Sequence, residues 1–68
     1  MTKYILSSGL SIISKIPTFE SPQLSYSITN VIEHAIQFDT IGEAMKVASK
    51  INEILRYASY KVVSVEID

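Results

Sequence analysis

The chain has 68 residues, of which 47% are hydrophobic and 19% are charged, and its formal net charge is −1. This length allows one small domain, and the nearly balanced charge argues against a general electrostatic grip on nucleic acid. Without cysteine and with one histidine, the sequence has no disulfide, no thiolate metal site and no zinc site built from histidines, and no apolar run approaches the ~20 residues of a membrane span.

The first predicted element is a β-hairpin. Residues 3–6 (KYIL) and 10–16 (LSIISKI) are rich in strand formers, and the intervening SSG predicts a turn in which Gly9 takes a positive φ angle. The second strand is predicted to turn one alternating set of side chains toward the core: Leu10, Ile12, Ser14 and Ile16. Serines interrupt the apolar residues of this segment and no signal-peptide cleavage site is evident, so we expect a cytoplasmic protein.

The middle of the chain mixes a loop, a strand and a helical turn. Residues 17–22 (PTFESP) are predicted to form a loop, because a proline at each end cannot donate to a sheet ladder. Residues 23–28 (QLSYSI) alternate cleanly, which predicts a half-buried strand with Leu24, Tyr26 and Ile28 inward. Residues 29–35 are predicted to form one helical turn capped by Asn30, and IQF is predicted to be a short extended piece.

The main helix is predicted to begin at the capping box TIGE, with Thr40 as N-cap and Glu43 at N3, and to end between Arg56 and Ser59. At roughly 100° per residue, its apolar side chains fall in one arc. These are Ala44, Val47, Ala48, Ile51, Ile54, Leu55 and Ala58. Gly42 in the first turn has two interpretations, tolerance near a helix end or the close approach of another backbone.

The closing strand covers residues 61–67 (KVVSVEI), with Val63, Val65 and Ile67 predicted to face the helix. The predicted fold is therefore α+β. It consists of one domain, residues 1–68, with a small, mostly antiparallel sheet of three to four strands. One long amphipathic helix packs on one face, in ββ(β)αβ order.

The two ends of the chain carry a family resemblance. The KYIL strand and hairpin, FDTIGEAMKVASKINEI and the closing YKVVSVEID together resemble small uncharacterised accessory proteins of phages and prophages of Gram-positive bacteria. That resemblance implies an accessory role in a bacterial host cell, against or alongside a host protein. Inhibition of a host defence system is one specific form of that role. The resemblance supplies no catalytic residues.

His34 is the only imidazole, and the carboxylates are scattered along the chain. We interpret His34 as a partly exposed residue of a helical turn rather than a general base, because no partner for it is indicated. No glycine loop for phosphate and no paired carboxylates are present. We therefore predict no enzyme activity, no catalytic or metal-binding residues and no cofactor.

The candidate partner-binding residues are aromatic or basic. Lys46, Lys50 and Tyr57 share one exposed stripe of the helix beside Arg56, although Glu43 and Glu53 interrupt its positive charge. Tyrosine is enriched at interfaces but also covers the edges of small cores, and both interpretations stay open for the tyrosines and for Phe19. The predicted set is Phe19, Lys46, Lys50, Arg56, Tyr57 and Tyr60.

These observations predict a non-enzymatic interaction module that binds a host or phage protein. A small dimeric regulator associated with nucleic acid, with paired Lys46 and Lys50 stripes, is the alternative, and a purely structural oligomer subunit is a third. We expect a homodimer, because a core this small has no disulfide or metal to stabilise it and the predicted sheet has open edges. No membrane or nucleic-acid partner is expected from the leading hypothesis.

Overall fold

The computed structural model describes residues 1–20, 23–55 and 59–67, and for residues 19, 20, 23 and 24 it describes the backbone alone. The elements follow one another as β1 (Thr2–Ser7), β2 (Ile12–Ile13), β3 (Thr18–Glu20), β4 (Gln23–Ser25), β5 (Ile28–Thr29), a 3-10 turn (Ile32–His34), α1 (Ile41–Ile54) and β6 (Lys61–Glu66). Four strands form an antiparallel sheet in the order β5-β2-β1-β6, and β3 and β4 form a separate pair. The predicted α+β class and its one-helix, antiparallel-sheet architecture are confirmed.

Strands β1 and β6 form the longest pairing of the four-stranded sheet. The two strands pair antiparallel along their whole length, from Thr2 opposite Glu66 to Ser7 opposite Lys61. On its other side β1 exchanges backbone hydrogen bonds with Phe38, since Tyr4 N donates to Phe38 O and Phe38 N donates to Tyr4 O. This bridge confirms the prediction that the IQF segment is extended. It also places the chain beside β1 just before α1 begins.

Helix α1 begins where the capping signal predicts. Thr40 has extended backbone angles, and its hydroxyl oxygen accepts a hydrogen bond from the backbone N–H of Glu43 at 3.2 Å. The helix ends at Ile54 with Leu55 as C-cap, which is earlier than predicted. Ile54 is exposed, a correction to the predicted arc, and Ala58 lies outside the described residues.

The core lies between α1 and one face of the sheet. Leu6, Ile13 and Ile51 are its largest fully buried side chains, and Ala44 and Ala48 let the helix approach the strands closely. Leu55 is only half-buried at the edge of this cluster. The periodicity of α1 therefore predicted the centre of its buried face correctly.

The predicted face of the second hairpin strand is wrong. Leu10 and Ile16 are exposed, and Ile13 is fully buried instead. Ile12 lies opposite Ser7, and residues opposite each other share a face of a sheet. Ile13 therefore falls on the same face as Leu6, toward the helix. The turn itself is as predicted, with Gly9 at a φ of 91°.

The predicted loop at residues 17–22 is also corrected in part. Residues Thr18–Glu20 form β3, which pairs antiparallel with β4, while residues 21 and 22 lie outside the described part of the chain. The predicted strand 23–28 is divided into β4 and β5, and Ile28 is exposed. The helical turn is confirmed as 3-10, but Val31 rather than Asn30 is its N-cap.

The closing strand is present with its faces reversed. Val62 packs against the core cluster, and Val63 is exposed. The register explains this correction, since Val62 lies opposite Leu6 and must share its face. Among the described residues, no helix is long and apolar enough to cross a membrane.

Candidate partner-binding surfaces

Lys46 and Lys50 are exposed on the outer side of α1, as predicted. With Met45, Val47 and Ser49 they line a shallow hollow of about 470 Å³. Glu43 and Glu53 are exposed on the same helix. Acidic side chains at these positions reduce the positive potential along the stripe, so its charge does not favour phosphate binding.

Three of the other predicted partner-binding residues have side chains that the structure does not describe. Arg56 and Tyr57 lie outside the described residues, and Phe19 is described only as a backbone position in β3. The structure therefore does not bring the six predicted residues together into one described surface. Phe19, Arg56 and Tyr57 remain predictions.

Tyr60 is part of the core. It is 5% exposed and belongs to the buried cluster, so of its two interpretations the structure supports the covering of the core, and it is not an exposed partner contact. Its backbone is held by one side chain, because Asn52 Nδ2 donates to Tyr60 O at 2.9 Å and Tyr60 N donates to Asn52 Oδ1 at 2.7 Å. Its hydroxyl forms a hydrogen bond with the Ser11 hydroxyl at 3.0 Å.

A more distinctive surface lies where the first turn meets residues 26–28. We call it the turn hollow, a depression of about 350 Å³, and its lining residues come from three separate segments: Ser8, Leu10, Ser11, Tyr26, Ile28, Ser59 and Tyr60. Leu10 is 90% exposed and Ile28 is 56% exposed. The turn hollow therefore joins exposed apolar side chains to tyrosine rings and hydroxyl groups.

Hydrogen bonds fix the shape of the turn that carries Leu10. Ser8 N donates to Ser11 O at 2.9 Å, and Ser11 N donates back to Ser8 Oγ at 3.2 Å. Ser14 N donates to Ser27 O at 2.9 Å, which places Ile28 next to this turn. Sequence reasoning missed the surface because it assigned Leu10 and Ile28 to the core.

A third depression lies between α1 and β6. We call it the edge hollow, a space of about 320 Å³ lined by Ile41, Met45, Ala48, Ser49, Asn52, Tyr60, Lys61 and Val62. Ile41 and Met45 are both more than half exposed. Because β6 is the last strand on this side of the described sheet, the edge hollow opens beside a free strand edge.

No family model, curated protein or solved structure is detectably similar to the chain. His34 lies on the 3-10 turn and is exposed, as predicted for a residue of a helical turn. Within the described ranges, no three acidic, histidine or cysteine side chains come together as a group able to hold a metal ion.

Proposed function

We propose that this chain is a non-enzymatic protein-binding module, a small phage or prophage accessory protein that acts by binding a host or phage protein. The turn hollow is the observation that carries the proposal. It presents Leu10 and Ile28 to solvent beside the partly buried Tyr26. Contiguous exposed apolar surface of this kind is typical of interaction sites in soluble proteins.

The composition of the turn hollow fits a protein partner. Leu10, Tyr26 and Ile28 supply contact area, and the hydroxyl groups of Ser8 and Ser11 supply polar contacts beside them. A depression of this size accepts one or two side chains of a partner, the arrangement through which a few anchoring residues provide most of the affinity at many interfaces.

The rigidity of the turn hollow also favours binding. Hydrogen bonds within residues 8–11 fix the turn, and the hydrogen bond between the Ser11 and Tyr60 hydroxyl groups fixes the turn against Tyr60. A site that is already ordered loses less conformational entropy when a partner binds. Leu10 therefore protrudes from a fixed turn and can insert into a partner without prior reorganisation of this chain.

Affinity capture with matched variants tests the proposal. The wild-type chain, the double variant Leu10→Ser/Ile28→Ser and the control Ile16→Ser are immobilised and exposed to lysate of a Gram-positive host, with and without nuclease treatment. Ile16 is 65% exposed but does not line the turn hollow, so its substitution removes comparable apolar surface elsewhere. Captured proteins are identified by mass spectrometry, and each candidate is purified and titrated against the three baits.

We expect one protein to bind the wild type and the Ile16→Ser control, and to lose at least about tenfold in affinity for the double variant. Equal binding to all three baits would exclude the turn hollow as the site. Capture that disappears after nuclease treatment, with an affinity that falls steeply as salt rises, would instead favour the nucleic-acid alternative.

A further inference from the structure

The outer edge of β6 offers backbone groups for pairing. Tyr4 directs its N–H and C=O toward Phe38, away from β6, so the pair Tyr4–Ser64 is a non-hydrogen-bonded pair of the β1–β6 ladder. The N–H and C=O of Ser64 therefore point outward. Because this direction alternates along a strand, Val62 and Glu66 point their backbone groups outward as well.

This edge has few of the features that block edge strands. β6 is a six-residue strand, paired without interruption to β1, and contains no proline. Its charged residues, Lys61 and Glu66, stand at its ends and leave a central segment of valine and serine. In the described part of the sheet the opposite edge is β5, which has only two residues. The β6 edge is thus the longer template for another strand.

We infer that the β6 edge pairs with the same edge of a second copy of this chain, in an antiparallel ladder about a two-fold axis at Ser64. In this register Ser64 faces Ser64 of the second copy, and Val62 faces Glu66. All three outward-facing residues then exchange backbone hydrogen bonds across the axis. A two-fold axis at Val63 would place Glu66 opposite Tyr60, whose backbone groups are bonded to Asn52, and an axis at Val65 would place Val62 opposite residue 68, outside the described strand.

The side chains also suit a second copy better than an unrelated strand. On the face away from the helix, Val63 lies opposite Val65 of the second copy in a close non-hydrogen-bonded pair. Val63 is 41% exposed, and this contact covers it. The register places no two like charges directly opposite each other, because Lys61 faces Ile67 and Glu66 faces Val62. Self-pairing therefore meets no electrostatic penalty.

The edge hollow provides the second, independent observation. A two-fold axis perpendicular to the sheet keeps both helices on the same face of the joined sheet. Ile41 and Met45, which line the edge hollow together with Lys61 and Val62 of β6, then stand on the side of α1 that the second copy approaches, so the pairing covers part of their exposed apolar surface. A chain without disulfides gains stability from such a contact, since its own core is small.

Substitutions at Ser64 test the backbone pairing. In Ser64→Pro, the lost N–H is the one that points outward, so the β1–β6 ladder keeps its hydrogen bonds, as proline at a strand edge allows. The control Ser64→Ala removes the side chain and keeps the N–H. Sedimentation equilibrium at micromolar concentration measures the mass, and circular dichroism checks folding. We expect twice the chain mass of 7.6 kDa for wild type and Ser64→Ala, and a dissociation constant raised about tenfold or more in Ser64→Pro.

A cysteine at the axis tests the register and does not depend on proline being tolerated. Hydrogen-bonded antiparallel pairs have Cα atoms ~5.5 Å apart and Cβ atoms at a similar distance, which is wider than a disulfide prefers but within reach of a short reagent that links two thiols. The native chain has no cysteine, so Ser64→Cys should cross-link to itself with such a reagent. The control Ser25→Cys, at an exposed position of β4, should not.

A clean monomer of the wild-type chain at ~100 μM would overturn the inference, since a stable interface of this kind forms well below that concentration. A dimer in which Ser64→Cys fails to cross-link would overturn it too, because another surface would then hold the copies together. The inference stands apart from the proposed partner. Ser64→Pro is expected to retain the partner bound at the turn hollow, and Leu10→Ser/Ile28→Ser is expected to retain the dimer.

Discussion

Replacing Asn52 by alanine is the sharpest test of how this domain is held together. Asn52 binds the backbone of Tyr60 through both its amide nitrogen and its amide oxygen, at 2.9 and 2.7 Å. It acts like a residue of a neighbouring strand, and it joins the last turn of α1 to the start of β6. The substitution removes both hydrogen bonds at once.

The magnitude follows from the burial of Tyr60. Each lost hydrogen bond costs ~0.5–1.5 kcal/mol when water replaces it, and ~1–3 kcal/mol when the freed group stays buried. Tyr60 is 5% exposed, so its N–H and C=O have little access to water, and a combined loss of ~2–4 kcal/mol is expected. The better helix propensity of alanine returns at most ~0.7 kcal/mol.

The assays are urea denaturation and thermal denaturation, both followed by circular dichroism. A domain of this size has only ~3–5 kcal/mol of stability to lose, so Asn52→Ala should be largely unfolded or melt more than ~10 °C below the parent. Asn52→Asp keeps the acceptor for Tyr60 N–H but places an oxygen against Tyr60 C=O, and it should be destabilised as well. The control Ser49→Ala changes an exposed residue one turn earlier.

An unchanged denaturation midpoint for Asn52→Ala would refute the reasoning. Amide hydrogen exchange adds a local readout, since the Tyr60 N–H should be protected in the parent and exchange faster in any folded Asn52 variant. Fast exchange of that N–H in the parent would contradict the described contact directly.

Three further predictions concern the N-cap of α1 and the two glycines. Thr40→Ala removes the acceptor for Glu43 N–H and should cost ~1 kcal/mol, seen as a melting temperature ~4–8 °C lower, while Thr40→Asp should restore most of the loss. Gly9→Ala should destabilise by ~1–2 kcal/mol, because Gly9 has a φ of 91° that an L-residue adopts only with strain. Gly42→Ala is its counterpart and should stabilise by up to ~1 kcal/mol, because a Cβ there meets no described atom within 4 Å. Equal effects of the two glycine substitutions would contradict the assigned turn geometry.

The elements that the sequence predicts well are those with local causes. The start of α1 depends on Thr40 and Glu43 within one turn, and its buried centre follows from a 3.6-residue period sampled over fourteen residues. The turn at Gly9 depends on one residue type that tolerates a positive φ. The open space around Gly42 supports tolerance near a helix end over the close approach of another backbone.

The prediction of which strand face is buried is wrong where the strand is short and has apolar side chains on both faces. In β6, valine occupies both faces, so alternation does not show which face packs on the helix. That choice is made by the pairing of Val62 with Leu6. In the same way, the pairing of Ser7 with Ile12 decides that Ile13 is buried. The register depends on how two distant segments pair, so the sequence of one strand alone does not predict it.

The same limit applies to the candidate surfaces. Leu10 and Ile28 are predicted to lie in the core because each fits an alternating pattern, but both are exposed. Leu10 belongs to the turn between β1 and β2, and Ile28 lies opposite the buried Ile13 but in β5, the edge strand of the described sheet. Asn52 carried no signal, since an asparagine in a helix is ordinarily solvated and its partner is eight residues away, beyond the helix end. Lys46 and Lys50 were placed correctly because helical phase alone fixes their exposure.

Tyr60 connects the stability of the domain to both candidate surfaces. It lines the turn hollow and the edge hollow, and its position is set by Asn52 on its backbone and Ser11 on its hydroxyl. A partner at one hollow and a second copy at the other would therefore each lie against the same buried residue. Because three hydrogen bonds already hold Tyr60, neither contact has to order it, and the two binding events are expected to be independent of each other. Asn52→Ala, which frees the backbone of Tyr60, is therefore expected to weaken both contacts in any fraction that stays folded, whereas Ser64→Pro and Leu10→Ser/Ile28→Ser each weaken one.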